Sequence, residues 1–292
     1  MSVLPPELER EIFEICALSQ PRAIITLLLV AQRVKYWIEP LLYRTMALEY
    51  PIKARRNFTS DFVLSSIRTK SSIFLQQSIR HLAFCRTNDD FDAKADIILA
   101  ACPRVENLLI LDLPYKRVQC IAHLSLTRLY APCEALLRTL PPTHAFFSRL
   151  THFAVFWGLY EMSEGEICAA LAALPQLSHL SFSHPHFIRI CPTLLAMCNS
   201  LRVLVSLLWD VPLGRRGDEL ARDGRFVMMK LKGAAPIEDW YKGAECGEDY
   251  WSRAEVFIAR RRAGQIDALQ YNIGPEWNPS ENSTGAKDSS GQ

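Results

Sequence analysis

The chain is predicted to fold as an α/β solenoid in which short parallel strands alternate with helices in a right-handed coil. Three observations carry that prediction. An apolar core of one form recurs along the chain, the segments between its copies have helical spacing, and the glycine-rich turn that a nucleotide-binding parallel sheet places after its first strand is missing.

The recurring core reads apolar-x-x-apolar-x-apolar. Its copies are Ile79/Leu82/Phe84, Val105/Leu108/Ile110, Leu126/Leu129/Ala131, Leu150/Phe153/Val155, Leu177/Leu180/Phe182, Leu201/Leu204/Ser206 and Phe226/Met229/Leu231. The first members are separated by 26, 21, 24, 27, 24 and 25 residues. The last two apolar positions of each copy are two apart and so share one face of a strand, while the residues between them look to the other face. His81, His152 and His179 fall just before the first inward position, so they are expected on an exposed sheet face, where they would suit binding. Helical spacing occupies Asp96 to Ala101, Glu134 to Leu140, Glu164 to Leu174 and Thr193 to Cys198. Ser163 with Glu166 three residues later has the form of a capping box. Strands that each feed a helix packing back on the sheet build a parallel array with right-handed crossovers. Over about residues 44–235 this pattern resembles the leucine-rich-repeat family in degenerate form. The Asn or Cys that such repeats place after the strand is mostly absent, with only Cys85 and Cys133 near the place.

Bulk composition limits the function classes. Of 292 residues 49% are hydrophobic and 22% charged, the balance of a folding chain. Lys and Arg number 33 against 31 Asp and Glu, a net charge of +2, so neither nucleic acid nor an acidic membrane is the expected partner. Apolar runs such as Leu27 to Ala31 are far shorter than the roughly 18 residues of a membrane span. The opening MSVLPPELEREIFEIC carries early acidic residues and no basic-then-apolar run, so a cytoplasmic or nuclear location is expected. Nine cysteines, an odd number with no CxxC pair, are expected to act as small buried hydrophobes. The sequons at Asn57 and Asn282 are then chance.

Residues 1–46 have a different texture and are expected to form a helical element of three helices. Leu8, Ile12 and Ile15 recur at i, i+4 and i+7 on a helix opened by Pro5 and Pro6. Pro21 can start a second helix lined by Ile24, Leu27, Leu28 and Ala31, and Trp37 with Leu41 and Leu42 closes the element around Pro40. So small a unit buries little surface by itself and needs a neighbour or a partner. Leu4-Pro5 with Glu7-Leu8, the pair Ile12-Phe13, the run Leu28-Leu29-Val30, and Trp37 before Pro40-Leu41-Leu42-Tyr43 resemble an F-box. That resemblance implies docking on the Skp-type adaptor of a cullin-RING ubiquitin ligase, with a downstream repeat domain selecting a protein substrate. The residues it implies for the adaptor are Leu4, Pro5, Leu8, Ile12, Phe13, Val30 and Trp37. The short segment Cys16 to Ile24, without the usual Leu-rich turn and acidic residue, and Gln32-Arg33 depart from the family pattern. The start, the irregular repeats and the closing PIEDWYKGAECGEDYWSRAEVFIARRR are together similar to the expanded F-box families of mushroom-forming fungi. The competing reading is a non-ligase binding module whose N-terminal helices only cap the apolar end of the solenoid.

No local signature of bond chemistry appears: no GxSxG elbow, no HExxH, and no Cys–His pair in a recognisable setting. The chain is therefore expected not to be an enzyme and to need no cofactor. His184-Pro185-His186 lacks further ligands for a metal, and Arg216-Gly217-Asp218 is a chance tripeptide. Tyr250 to Arg262 carries an apolar stripe at Ala254, Phe257 and Ile258, with Arg260 to Arg262 complementing its C-terminus. Trp240, Tyr241, Tyr250 and Trp251 form an aromatic cluster that reads either as a cap on the solenoid or as a recognition surface. The expected division is a helical element at 1–46, a repeat solenoid at 47–271 whose concave strand face holds the substrate, and a disordered tail at 272–292.

Overall fold

The computed structural model describes residues 4–50, 58–85, 89–156, 162–207, 215–231, 236–275 and 277. Asn57 of the first sequon, the whole of the second and the polar run from 278 lie outside them. The N-terminal element comprises α1 (Pro6–Ser19), a 3-10 turn (Pro21–Ala23), α2 (Ile24–Leu27) and α3 (Gln32–Tyr43). There follow β1 (Thr45–Leu48), α4 (Ser60–Thr69), α5 (Ser72–Ser78), β2 (His81–Phe84), α6 (Asp89–Ala101), β3 (Asn107–Ile110), α7 (Tyr115–Ile121) and β4 (Arg128–Ala131). The chain continues through α8 (Glu134–Thr139), β5 (His152–Val155), α9 (Glu164–Ala172), β6 (His179–Phe182), α10 (Cys191–Met197), β7 (Val203–Ser206), α11 (Arg215–Ala221) and β8 (Phe226–Met229). It closes with α12 (Pro236–Cys246), α13 (Tyr250–Arg262) and β9 (Asn272–Ile273). The nine strands make one sheet in chain order, every neighbouring pair parallel. This is the α/β repeat architecture expected. The sheet runs from Thr45 to Ile273, two residues beyond the expected 47–271 at each end.

One face of the sheet carries the repeat helices. Leu82 and Phe84, Leu108 and Ile110, Phe153 and Val155, and Leu180 and Phe182 are buried there, packed with Val63, Leu75, Ile98, Val118, Leu136, Ile167 and Leu194 from the helices. Ser163 and Glu166 close the expected capping box on α9, each bonding the other's backbone N–H. Five cysteines (102, 133, 168, 191 and 198) are buried, whereas Cys16 and Cys246 are exposed. The bends before the strands satisfy their backbone groups without an asparagine ladder. Each carbonyl accepts two N–H groups from the next repeat: Arg44 from Arg80 and His81, Glu106 from Thr127 and Arg128, Thr151 from Ser178 and His179. Hydroxyls reinforce the row, with Thr127 Oγ1 donating to Glu106 O at 3.0 Å and Thr151 Oγ1 to Thr127 O at 3.0 Å.

The last repeat departs from its expected register. Leu204 pairs with Phe226, so Phe226 and Met228 face the repeat helices and Met229 with Leu231 face the other way. The run FVMM has no alternation to locate its inner side, and the pairing with β7 decides it.

The second face of the sheet is not an open concave surface, contrary to the expectation. α12 and α13 lie across it. Ala83, Leu109, Tyr130, Val205, Val227 and Met229 are buried there against Trp240, Tyr250, Trp251, Ala254, Phe257 and Ile258. The aromatic cluster is thus the second core of the protein and lies along the sheet, not at the end of the repeats. His179 is only 3% exposed, and His81 and His152 are largely covered, which corrects their expected exposure. Arg261, expected to complement a helix terminus, is also buried. Its guanidinium donates to Gln270 O at 2.8 Å, Gly224 O at 2.7 Å and Phe226 O at 2.9 Å, binding the last turn of α13 to the segments around β8 and β9.

Candidate docking surface

Pro5 caps α1 and Pro6 occupies its first turn, where a missing N–H costs nothing, and Glu7 and Glu9 complement the positive end of the helix. The helix has two apolar sides. Phe13 and Ala17 turn inward, where Ala17, Ile24, Val34 and Ile38 form a small buried core edged by Trp37 and Leu41. Leu8, Ile12 and Ile15 turn outward and are 48%, 50% and 56% exposed. Leu4 and Leu18 are exposed as well, as are Ile25, Leu29 and Val30 on the next segment and Tyr36 on α3. Completing the burial of a half-exposed Leu or Ile contributes roughly 1 kcal/mol. The outward side chains of α1 therefore offer a partner roughly 4 kcal/mol before ordering costs.

The element is braced from within and joined to the repeats. The Arg33 fork grips the Glu9 carboxylate through Nε at 2.9 Å and Nη2 at 2.7 Å, tying α3 to α1. That hydrogen bond holds the Glu9 carboxyl below its ordinary range and raises the Arg33 guanidinium. α3 packs on β1 and α5, Tyr43 entering the main core, and Lys70 Nζ reaches Glu39 at 2.8 Å.

Of the residues the F-box resemblance singled out, Leu4, Pro5, Leu8, Ile12 and Val30 are exposed, whereas Phe13 and Trp37 are half-buried against the small core. The outward surface also includes Ile15, Leu18, Ile25 and Leu29. Ile15 shares the i, i+4, i+7 row with Leu8 and Ile12, and Leu29 sits in the Leu28–Val30 run, so both carried a signal in the sequence.

The covered sheet face, the expected substrate surface, is occupied by polar groups locked onto α12 and α13. Trp240 Nε1 donates to Asn107 Oδ1 at 2.8 Å and Trp251 Nε1 to the Tyr130 hydroxyl at 2.8 Å. Arg128 Nη1 donates to Asp249 Oδ2 at 2.7 Å, and the Ser181 and Tyr250 hydroxyls are 2.8 Å apart. The rings of His152 and His179 stack at 4.0 Å, and both meet Trp251 edge-on. Their Nδ1 atoms bond Thr151 Oγ1 and Ser178 Oγ, and His179 Nε2 lies 3.0 Å from Glu255. Burial pushes the His152 imidazole down to about 2, with the neighbouring His179 and Arg128 adding to the shift. Burial also lowers His179, against the pull of Glu255, and takes His81 to about 4. It raises the Asp249 carboxyl, opposed by Arg128. These contacts fasten α12 and α13 to the sheet.

His184 Nδ1 accepts from the His186 N–H at 3.3 Å and so caps the turn that follows. Among the described residues no cluster of three metal-ligating side chains occurs, and no helix is long and apolar enough to cross a membrane. No protein-family model matches the chain, and no curated protein matches it.

Proposed function

We propose that the chain is a protein-binding adaptor whose N-terminal element docks a Skp-type adaptor of a cullin-RING ubiquitin ligase, so that the protein serves as its substrate-recognition subunit. The outward apolar row of α1, continued by Ile25, Leu29 and Val30, carries this reading. A helix that only capped the solenoid would need one apolar side. The capping reading accounts for α3, which packs on β1 and α5, and leaves the outer side of α1 without a role. The F-box-like residues Leu4, Pro5, Leu8, Ile12 and Val30 fall on the outward surface, which supports the same partner. Phe13 and Trp37 act from beneath, by shaping the element. In this reading the chain performs no bond chemistry, and a target protein is held by the outer surfaces and edges of the repeats, because α12 and α13 fill the face opposite the helices.

The test is a pull-down of purified full-length chain with the Skp adaptor, beside a Leu8→Asp/Ile12→Asp variant. Both substitutions are at exposed positions, so the circular dichroism spectrum is expected to be unchanged and the unfolding free energy to shift by no more than about 0.5 kcal/mol per site. Binding by the wild type and its loss in the folded variant is the expected outcome. Absence of binding by the well-folded wild type would sink the ligase role.

A further inference from the structure

A cleft of about 250 Å³ lies at the seam where the N-terminal element meets β1 and α12. Ile24, Leu41, Leu42 and Phe58 supply apolar walls from three separate segments, and Leu18 and Ile25, each about half exposed, extend the apolar surface outward. Arg22 and Arg44 line the same cleft. Both side chains are exposed, and neither has an ion-pair partner among the described residues, whereas Glu245 on the α12 side already has an interaction of its own. Two unengaged guanidiniums beside an apolar wall select a ligand that presents carboxylates next to an apolar group.

Size narrows the choice. Sites for drug-sized ligands run to roughly 300–1,000 Å³, so this cleft takes one or two side chains and not a whole metabolite or a lipid tail. We propose that the seam cleft binds a short acidic–apolar peptide segment of a partner protein, the apolar side chain seated against Ile24 and Phe58 and flanking carboxylates held by Arg22 and Arg44. Such a peptide would touch the N-terminal element, the first strand and the C-terminal helix pair at once, while leaving Leu8 and Ile12 free on the outer side of α1.

Fluorescence anisotropy with full-length protein tests this. The probe is a fluorescein-labelled peptide with one Leu-Phe pair flanked by aspartates; its controls carry lysines for the aspartates, or Gly-Gly for Leu-Phe. The acidic probe is expected to bind at least about tenfold more tightly than either control. An Arg22→Glu/Arg44→Glu variant, changed only at exposed positions, is expected to weaken it at least about tenfold. The Leu8→Asp/Ile12→Asp variant is expected to bind the probe like the wild type. No binding of the acidic probe, equal binding of the lysine control, or indifference to the arginine changes would overturn the proposal. Loss in the Leu8→Asp/Ile12→Asp variant would overturn it too, by moving the probe to the outer surface of α1.

Discussion

Replacing Gly243 with alanine sets two effects of opposite sign against each other. In a helix interior the change is worth about 1 kcal/mol of added stability through backbone entropy. Gly243, however, faces Asp249 across the turn between α12 and α13. A Cβ at 243 would lie 2.5 Å from Asp249 Oδ2, 2.6 Å from its Cβ and 2.8 Å from its Cγ. Asp249 has little freedom to retreat, being 1% exposed. Its Oδ1 accepts the Ser252 N–H at 2.9 Å and caps α13, and its Oδ2 holds Arg128 at 2.7 Å. Overpacking costs about 1–3 kcal/mol, and displacing the aspartate would forfeit a cap of about 1 kcal/mol and a charge-assisted bond of similar or greater worth. The clash wins, and Gly243→Ala is expected to destabilise by about 2 kcal/mol, a fall in Tm of roughly 4–8 °C by differential scanning calorimetry. In an Asp249→Gly background, which removes those three atoms, the same alanine is expected to be neutral or to stabilise by up to about 1 kcal/mol. A Gly243→Ala protein as stable as wild type would refute the tight seating of the helix pair on the sheet.

Acid should loosen the same region. With folded values near 2 and 4, His152 and His81 bind protons less readily than the unfolded chain, whose imidazoles titrate near about 6.5. Stability is therefore complete above about 6.5 and lost as pH falls below it, by roughly 3 kcal/mol for the two together at about pH 5.5, which denaturant titrations at two pH values would measure. Constant stability across that interval would contradict the burial of the imidazoles. His81 and Ser206 bury ring nitrogens and a hydroxyl with no partner among the described residues. His81→Leu and Ser206→Ala are accordingly expected to leave stability unchanged or raise it by up to about 1 kcal/mol, and His81→Leu also to flatten the acid slope. Trp240→Phe keeps most of the apolar contact but orphans the Asn107 acceptor, so a loss of about 2 kcal/mol in chemical unfolding is expected, part of it restored by a second change, Asn107→Leu.

The repeat cores from Ile79 to Leu204 were legible because one periodicity, two residues within a strand, suffices to place Leu82 with Phe84 or Leu180 with Phe182. The capping box at Ser163 is equally local. What local reading missed depends on distant partners: Trp240 meets Asn107 across 133 residues, and Trp251 meets Tyr130 across 121. A signal for the covered face was nevertheless present. The strands NLLI, VLVS and FVMM do not alternate, as strands buried on both sides do not. The N-terminal element was legible as helices, yet the sequence does not separate the inward Phe13 from the outward Ile12, because both sides of α1 are apolar. Only the packing of Ala17, Val34 and Ile38 makes that distinction.

Hydrogen–deuterium exchange of the full-length chain, alone and with the purified Skp adaptor, tests the central claim most directly. Docking through the outward apolar row predicts a stable complex with new protection in α1 and in the segment from Ile24 to Val30, and unchanged exchange in the sheet and in α12 and α13. Failure to form the complex, or protection confined to the repeats, would contradict it.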